Sequence, residues 1–108
     1  MSPVRLSAIL TALLVVIITP VAADDAHTIT QIGRAFHPRE ATIARGETLT
    51  FINRDDYIHQ IYVKSSAMSF DSDEQPPGQN VSVTFPASGT FEVRCHIHPK
   101  MSLIVTVR

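Results

Sequence analysis

From Thr28 onward, apolar residues recur at every second position. Leu49 and Phe51 alternate with Thr48 and Thr50. Val81, Val83 and Phe85 alternate with Ser82 and Thr84, and Phe91, Val93 and Cys95 with Glu92 and Arg94. Leu103, Val105 and Val107 line up in the same way. A period of two belongs to a strand with one buried face. No convincing amphipathic helix competes with it. Thr28 to Ile32, Glu40 to Ala44 and His59 to Lys64 read as further strands. Arg45-Gly46, Pro76-Pro77-Gly78 and Pro86-Ala87-Ser88-Gly89 read as turns. Phe36-His37-Pro38 breaks the first strand. Ser65 to Asn80 shows no obvious packed element, although Met68 and Phe70 are expected to rest against the core. About seven to eight short strands separated by turns predict an all-β sandwich.

The first 23 residues are read as a leader, not as fold material. Arg5 supplies a positive charge and Leu6 to Ile18 is apolar apart from Ser7 and Thr11. Pro20-Val21-Ala22-Ala23 resembles a signal-peptidase site. The apolar run is shorter than the roughly 20 residues of a spanning helix. Cleavage is expected after Ala23, giving a signal peptide over 1–23 and one domain over 24–108, with no membrane span after cleavage. Removing Arg5 from nine Lys/Arg leaves eight against ten Asp/Glu, a net charge of −2. No basic stripe points to nucleic acid. The single cysteine cannot form an internal disulfide, so in an oxidising compartment it needs another occupant.

Cys95-His96-Ile97-His98-Pro99-Lys100-Met101 packs a thiol, two imidazoles and a thioether into seven residues. All are soft or borderline metal ligands. By strand parity, Cys95 points inward with Phe91 and Val93, and His59 points inward with Ile61 and Val63. His98 and Met101 lie on the loop returning to Ser102, which can fold back towards Cys95. His96 has the opposite parity and is expected to point away. Taken singly, a core histidine, a core methionine and an inert thiol account for these residues. Taken together, His59, Cys95, His98 and Met101 match a trigonal His₂Cys set with a weak axial thioether, the arrangement of electron-transfer copper sites. Zinc also takes His₂Cys plus one more ligand, but a thioether suits it poorly.

The chain resembles a small cupredoxin of the plastocyanin, pseudoazurin and amicyanin kind. The resemblance runs through Phe36-His37-Pro38, Thr42 to Asn53, Pro77-Gly78, Val81 to Phe85 and Gly89 to Cys95. His59 stands at the place of the first histidine ligand. The Cys-x-x-His-x-x-Met spacing of Cys95, His98 and Met101 is similar to the short amicyanin loop. This resemblance implies a cupredoxin-like Greek-key β-sandwich holding one type 1 copper ion. Two departures stand out. Gln60 replaces the Asn that often follows the first histidine and helps tie the ligand loops together. His96 is unusual between the cysteine and the second histidine.

The resemblance further implies an electron carrier and not an enzyme, cycling Cu(II)/Cu(I) between periplasmic redox partners as a monomer. Partners are expected to dock near the ring edge of His98, on an apolar patch of Ile97 and Pro99 with Pro38 or Pro77. Lys100 and the acidic Asp55-Asp56 and Asp71 to Glu74 loops are candidates for biasing partner choice by charge; a merely solvated role fits those loops equally. An exported copper-delivery protein using the same site is the alternative. A copper catalyst with an open coordination position is disfavoured, because Met101 fills the axial direction.

Overall fold

The computed structural model describes residues 2–5, 7–17 and 27–108. Residues 2–5 and 7–17 carry no helix or strand, and their side chains are exposed. The proposed cleavage point after Ala23 lies outside the described residues. Among those described, no helix is long and apolar enough to cross a membrane.

Nine strands follow: β1 (Thr28–Ile32), β2 (Ala35–His37), β3 (Glu40–Ile43), β4 (Thr48–Asn53), β5 (Ile61–Lys64), β6 (Ser69–Asp71), β7 (Asn80–Thr84), β8 (Gly89–Cys95) and β9 (Ser102–Val107). They form two sheets, ordered β2-β1-β4-β7 and β3-β9-β8-β5-β6. Strands β1 and β4 pair in parallel, as do β3 and β9; every other pairing is antiparallel. The alternating residues bury as their parity requires. Ile29, Leu49, Phe51 and Val83 come from the first sheet. Ile43, Ile61, Val63, Phe91, Val93, Cys95, Leu103, Val105 and Val107 come from the second. All belong to one core with Phe36, Phe85 and Met101.

Two strands exceed the sequence-based expectation. Strand β2 occupies the stretch read as a break. The two-residue loop Gly33-Arg34 turns the chain so that Ile32 pairs with Ala35, with positive φ at both residues (63° and 54°). That is the backbone of a type I′ hairpin, which matches the twist of the flanking strands. Its second position normally favours glycine or asparagine, and Arg34 is neither. Strand β6 lies within Ser65–Asn80, where no element was expected; it forms the sheet edge against β5, and Met68 and Phe70 pack on the core as anticipated. Residue 59 precedes β5 and makes only an isolated bridge, to Gln75.

Candidate metal centre

His59 and Cys95 approach one another because β5 lies beside β8, with Ile61 opposite Cys95. His98 then returns over them on the loop between β8 and β9, where the Met101 amide donates to the His98 carbonyl at 3.0 Å. Cys95 Sγ lies 3.8 Å from His59 Nδ1 and 3.9 Å from His98 Nδ1, and the two nitrogens are 3.1 Å apart. A triangle with those sides has its centre about 2.1 Å from each corner, the length of a bond from imidazole nitrogen to a first-row divalent ion. His59 and Cys95 are fully buried and His98 is half-buried. Met101 is buried within the core at the far end of the same loop.

The protonation pattern suits a cation at that centre. His59 Nε2 lies 2.8 Å from Asp55 Oδ2. Burial pulls the Asp55 carboxyl upward, but the Arg34 amide, the His59 ring and the Gly33 amide outweigh it and hold the group below its ordinary value. The carboxylate can only accept, so Nε2 carries the proton and the Nδ1 lone pair faces Cys95 and His98. Burial lowers the His98 pKa, and the neighbouring His59 and Arg34 lower it further, which favours the neutral, ligating form of its ring. The Gln60 amide donates to Cys95 Sγ at 3.4 Å, a bond that supports thiolate character.

Sequence reasoning missed the polar frame behind His59. Asp55, read as an exposed acid able to bias partner choice, is in fact buried and engaged. Its oxygens accept from the amides of Gly33 (2.6 Å) and Arg34 (3.0 Å) as well as from His59. This explains how Arg34 keeps a left-handed backbone: the same carboxylate ties down both turn amides. Asn53 caps the loop, accepting from the Asp55 amide and donating to the carbonyls of Tyr57 and Gln75. Gln75 is fully buried; its backbone exchanges two hydrogen bonds with His59, and its side chain reaches the carbonyls of Phe51 and Gln79. The sequence signal was faint: polar residues at strand ends, with nothing to say which would be buried.

The surface beside His98 also differs in detail from expectation. Ile97, Pro99, Lys100 and Arg34 line a shallow depression with His98, and neither Pro38 nor Pro77 takes part. The Arg34 guanidinium sits 4.2 Å over the Tyr57 ring, which meets His98 edge-on at 5.9 Å. His96 turns away from the centre as parity required, and His27 and His37 lie at the surface.

Residues 23–108 match the copper binding proteins of the plastocyanin/azurin family. The chain is 28% identical over 83 residues to the chloroplastic plastocyanin of Physcomitrium patens, covering 67% of this chain and 49% of that one. It is 35% identical over 83 residues to the methylamine utilization protein MauL of Methylophilus methylotrophus, covering 72% and 48%. It therefore spans about half the length of these relatives. In three dimensions it is similar to a reduced amicyanin carrying a tryptophan-to-tyrosine substitution, with a TM-score of 0.71 and 25% identity over 82% of this chain and 87% of that one. It is also similar to part of a copper-containing nitrite reductase from Thermus scotoductus, with a TM-score of 0.68 and 26% identity over 75% of this chain and 22% of that one. The fold, the convergent nitrogen and sulfur donors and the family match agree: the chain belongs to the plastocyanin/azurin family of copper-binding proteins, the type 1 cupredoxins.

Proposed function

We propose that the protein is an exported, periplasmic carrier of single electrons. In this reading His59, Cys95, His98 and Met101 would together hold one copper ion. The observation that carries the proposal is the convergence of two Nδ1 atoms and one Sγ within 3.9 Å of one another, with one of the two rings, that of His98, half-exposed. Copper bound there supplies a one-electron Cu(II)/Cu(I) couple. The chain's task is to hold donors acceptable to both states without moving. His59 is locked by Asp55 through its far nitrogen and by Gln75 through its backbone. Cys95 is fixed at the end of β8 and by the Gln60 amide. Both are fully buried, Cys95 among the core side chains, which leaves them little room to move on a change of oxidation state.

His98 is the route out. Its ring reaches the depression bordered by Ile97, Pro99, Arg34 and Lys100, where a redox partner docks. Electron donor and acceptor meet the protein there in turn, and the protein works as a monomer. A leader over 1–23, cleaved after Ala23, delivers the domain 24–108 to the periplasm.

The test is to load the purified protein with Cu(II) and record visible and electron-paramagnetic spectra. The expected result is an intense thiolate-to-copper band with narrow copper hyperfine splitting. Cys95→Ser should abolish the band, while Met101→Gln should keep a copper site at lower potential. A pale, ordinary Cu(II) spectrum refutes the reading, as does a band that survives in Cys95→Ser. Ready transfer of the ion to a competing chelator would indicate copper delivery in place of electron transport.

A further inference from the structure

Gln60 and His96, the two departures from the family pattern, meet at one residue. Gln60 Nε2 donates to Asp71 Oδ1 at 2.9 Å, and His96 Nε2 lies 3.0 Å from Asp71 Oδ2. Gln60 follows His59 directly and His96 follows Cys95 directly. One carboxylate thus grips both segments that carry the proposed ligands, one with each oxygen. From the geometry we infer that Asp71 is a positioning residue for the copper centre: a bracket that holds the Gln60 amide on the Cys95 sulfur. The inference rests on the ligand set proposed above.

Several contacts fix the bracket in place. Asp71 ends β6 opposite Tyr62 of β5, and the Asp73 amide donates to its Oδ1 at 2.9 Å. The His96 ring stacks on Tyr62 with centroids 3.7 Å apart and planes within 9°. Beneath the side chains, the His96 amide donates to the Gln60 carbonyl at 2.9 Å, and the Gln60 amide donates to Cys95 Sγ at 3.4 Å. The side-chain bracket and the backbone pair act on the same two residues. A neutral His96 with its proton on Nε2 can still donate to Asp71, so the bracket does not require His96 to ionise.

The position at the surface separates two roles. Exposed ion pairs add little to global stability, and Asp71 and His96 are both about half exposed. Hydrogen bonding around the cysteine sulfur, by contrast, tunes the potential of such a centre. An N–H bond to sulfur stabilises negative charge there, and sulfur carries more of it in the reduced state. Loosening the Gln60 amide should therefore disfavour Cu(I).

The test compares Asp71→Ala with Asp71→Asn, Gln60→Ala and the control Glu74→Ala, which removes a nearby exposed carboxylate. In Asp71→Asn the amide oxygen still accepts from Gln60, and its NH₂ meets the lone pair of the other His96 tautomer. In metal-free protein, amide hydrogen exchange at Gln60 and His96 should quicken about tenfold or more in Asp71→Ala and Gln60→Ala, and stay near wild type in the other two. In copper-loaded protein the same two variants should lose about tenfold to hundredfold in copper affinity. A tenfold loss of preference for Cu(I) lowers the potential by about 59 mV, and the thiolate-to-copper band should shift with it. Unchanged exchange in Asp71→Ala overturns the inference. So does faster exchange with an unmoved potential, or an equal effect in Asp71→Asn or Glu74→Ala, which would implicate charge alone. If wild type itself gives no thiolate-to-copper band, the ligand set fails, and the metal-free exchange still decides whether the bracket exists.

Discussion

Asp55→Asn is the substitution that probes the frame of the metal centre most directly. The carboxylate accepts three N–H bonds, from Gly33, Arg34 and the His59 ring, at 2.6, 3.0 and 2.8 Å. Asparagine keeps one oxygen and puts an NH₂ where the other stood. At least one buried donor then faces a donor, at a cost of about 1–3 kcal/mol, and the bonds that survive lose their charge assistance. The metal-free protein should lose about 2–3 kcal/mol at neutral pH, which for a domain of this size lowers Tm by on the order of 10–20 °C. The pH dependence has a definite sign. Hydrogen bonds depress the Asp55 pKa in the folded state below the ordinary 3.8. Its stabilisation is complete above that value and is lost as pH falls through the folded one. The gap between wild type and variant should be full at pH 7 and should shrink below about pH 4.

The copper-loaded protein gives a second readout. The Asp55 charge acts from across the His59 ring, 2.8 Å beyond its far nitrogen; a unit charge about 7 Å away, at an effective dielectric of about 20, is worth about 2 kcal/mol. Removing it disfavours Cu(II) and should raise the potential by on the order of 100 mV. Thermal melts from acid to neutral pH and a redox titration make both measurements. Equal stability of the two proteins at neutral pH, or a gap that does not narrow in acid, would refute the assignment of Asp55 as an ionised, shared acceptor.

Two further outcomes follow from the same geometry. Leu103→Ala should lower stability by about 2–5 kcal/mol, because Leu103 is fully buried opposite Val93; urea unfolding should show a lower midpoint with an unchanged slope. Arg34→Gly should leave stability within about 1 kcal/mol of wild type, since relief of the left-handed backbone offsets the lost stacking on Tyr57. The same variant should slow electron exchange with anionic ferricyanide and weaken its salt dependence in stopped-flow measurements, because Arg34 borders the His98 depression; an unaltered rate would argue that electrons do not pass there.

What the sequence made legible is what period-two alternation can carry. It placed seven strands, turned Cys95 and His59 inward and turned His96 out, because each of those facts depends on neighbours within a few residues. It could not place β2 or β6. Gly33-Arg34 lacks the Asn-Gly chemistry of a two-residue hairpin, and the turn is held by a carboxylate 21 positions away. Strand β6 has three residues at a sheet edge and little apolar surface to advertise it. The polar frame escaped for the same reason. Asp55 and Gln75 look like loop residues, and only long-range pairing reveals that both are buried behind His59.

Asp55 also links parts of the protein that the sequence presents as unrelated. The carboxylate that fixes the His59 tautomer is the one that permits Arg34 its left-handed backbone. Arg34 in turn stacks on Tyr57, which meets the edge of His98. The hairpin, the buried histidine and the exposed histidine are therefore positioned by one connected set of contacts. Strain at Arg34 is offset by the hydrogen bonds that orient His59, so the turn and the histidine are expected to order together. A centre assembled this way is formed by the fold before any ion arrives. That is the property an electron carrier needs, since a site that reorganises little on folding around its ion also reorganises little when an electron is added.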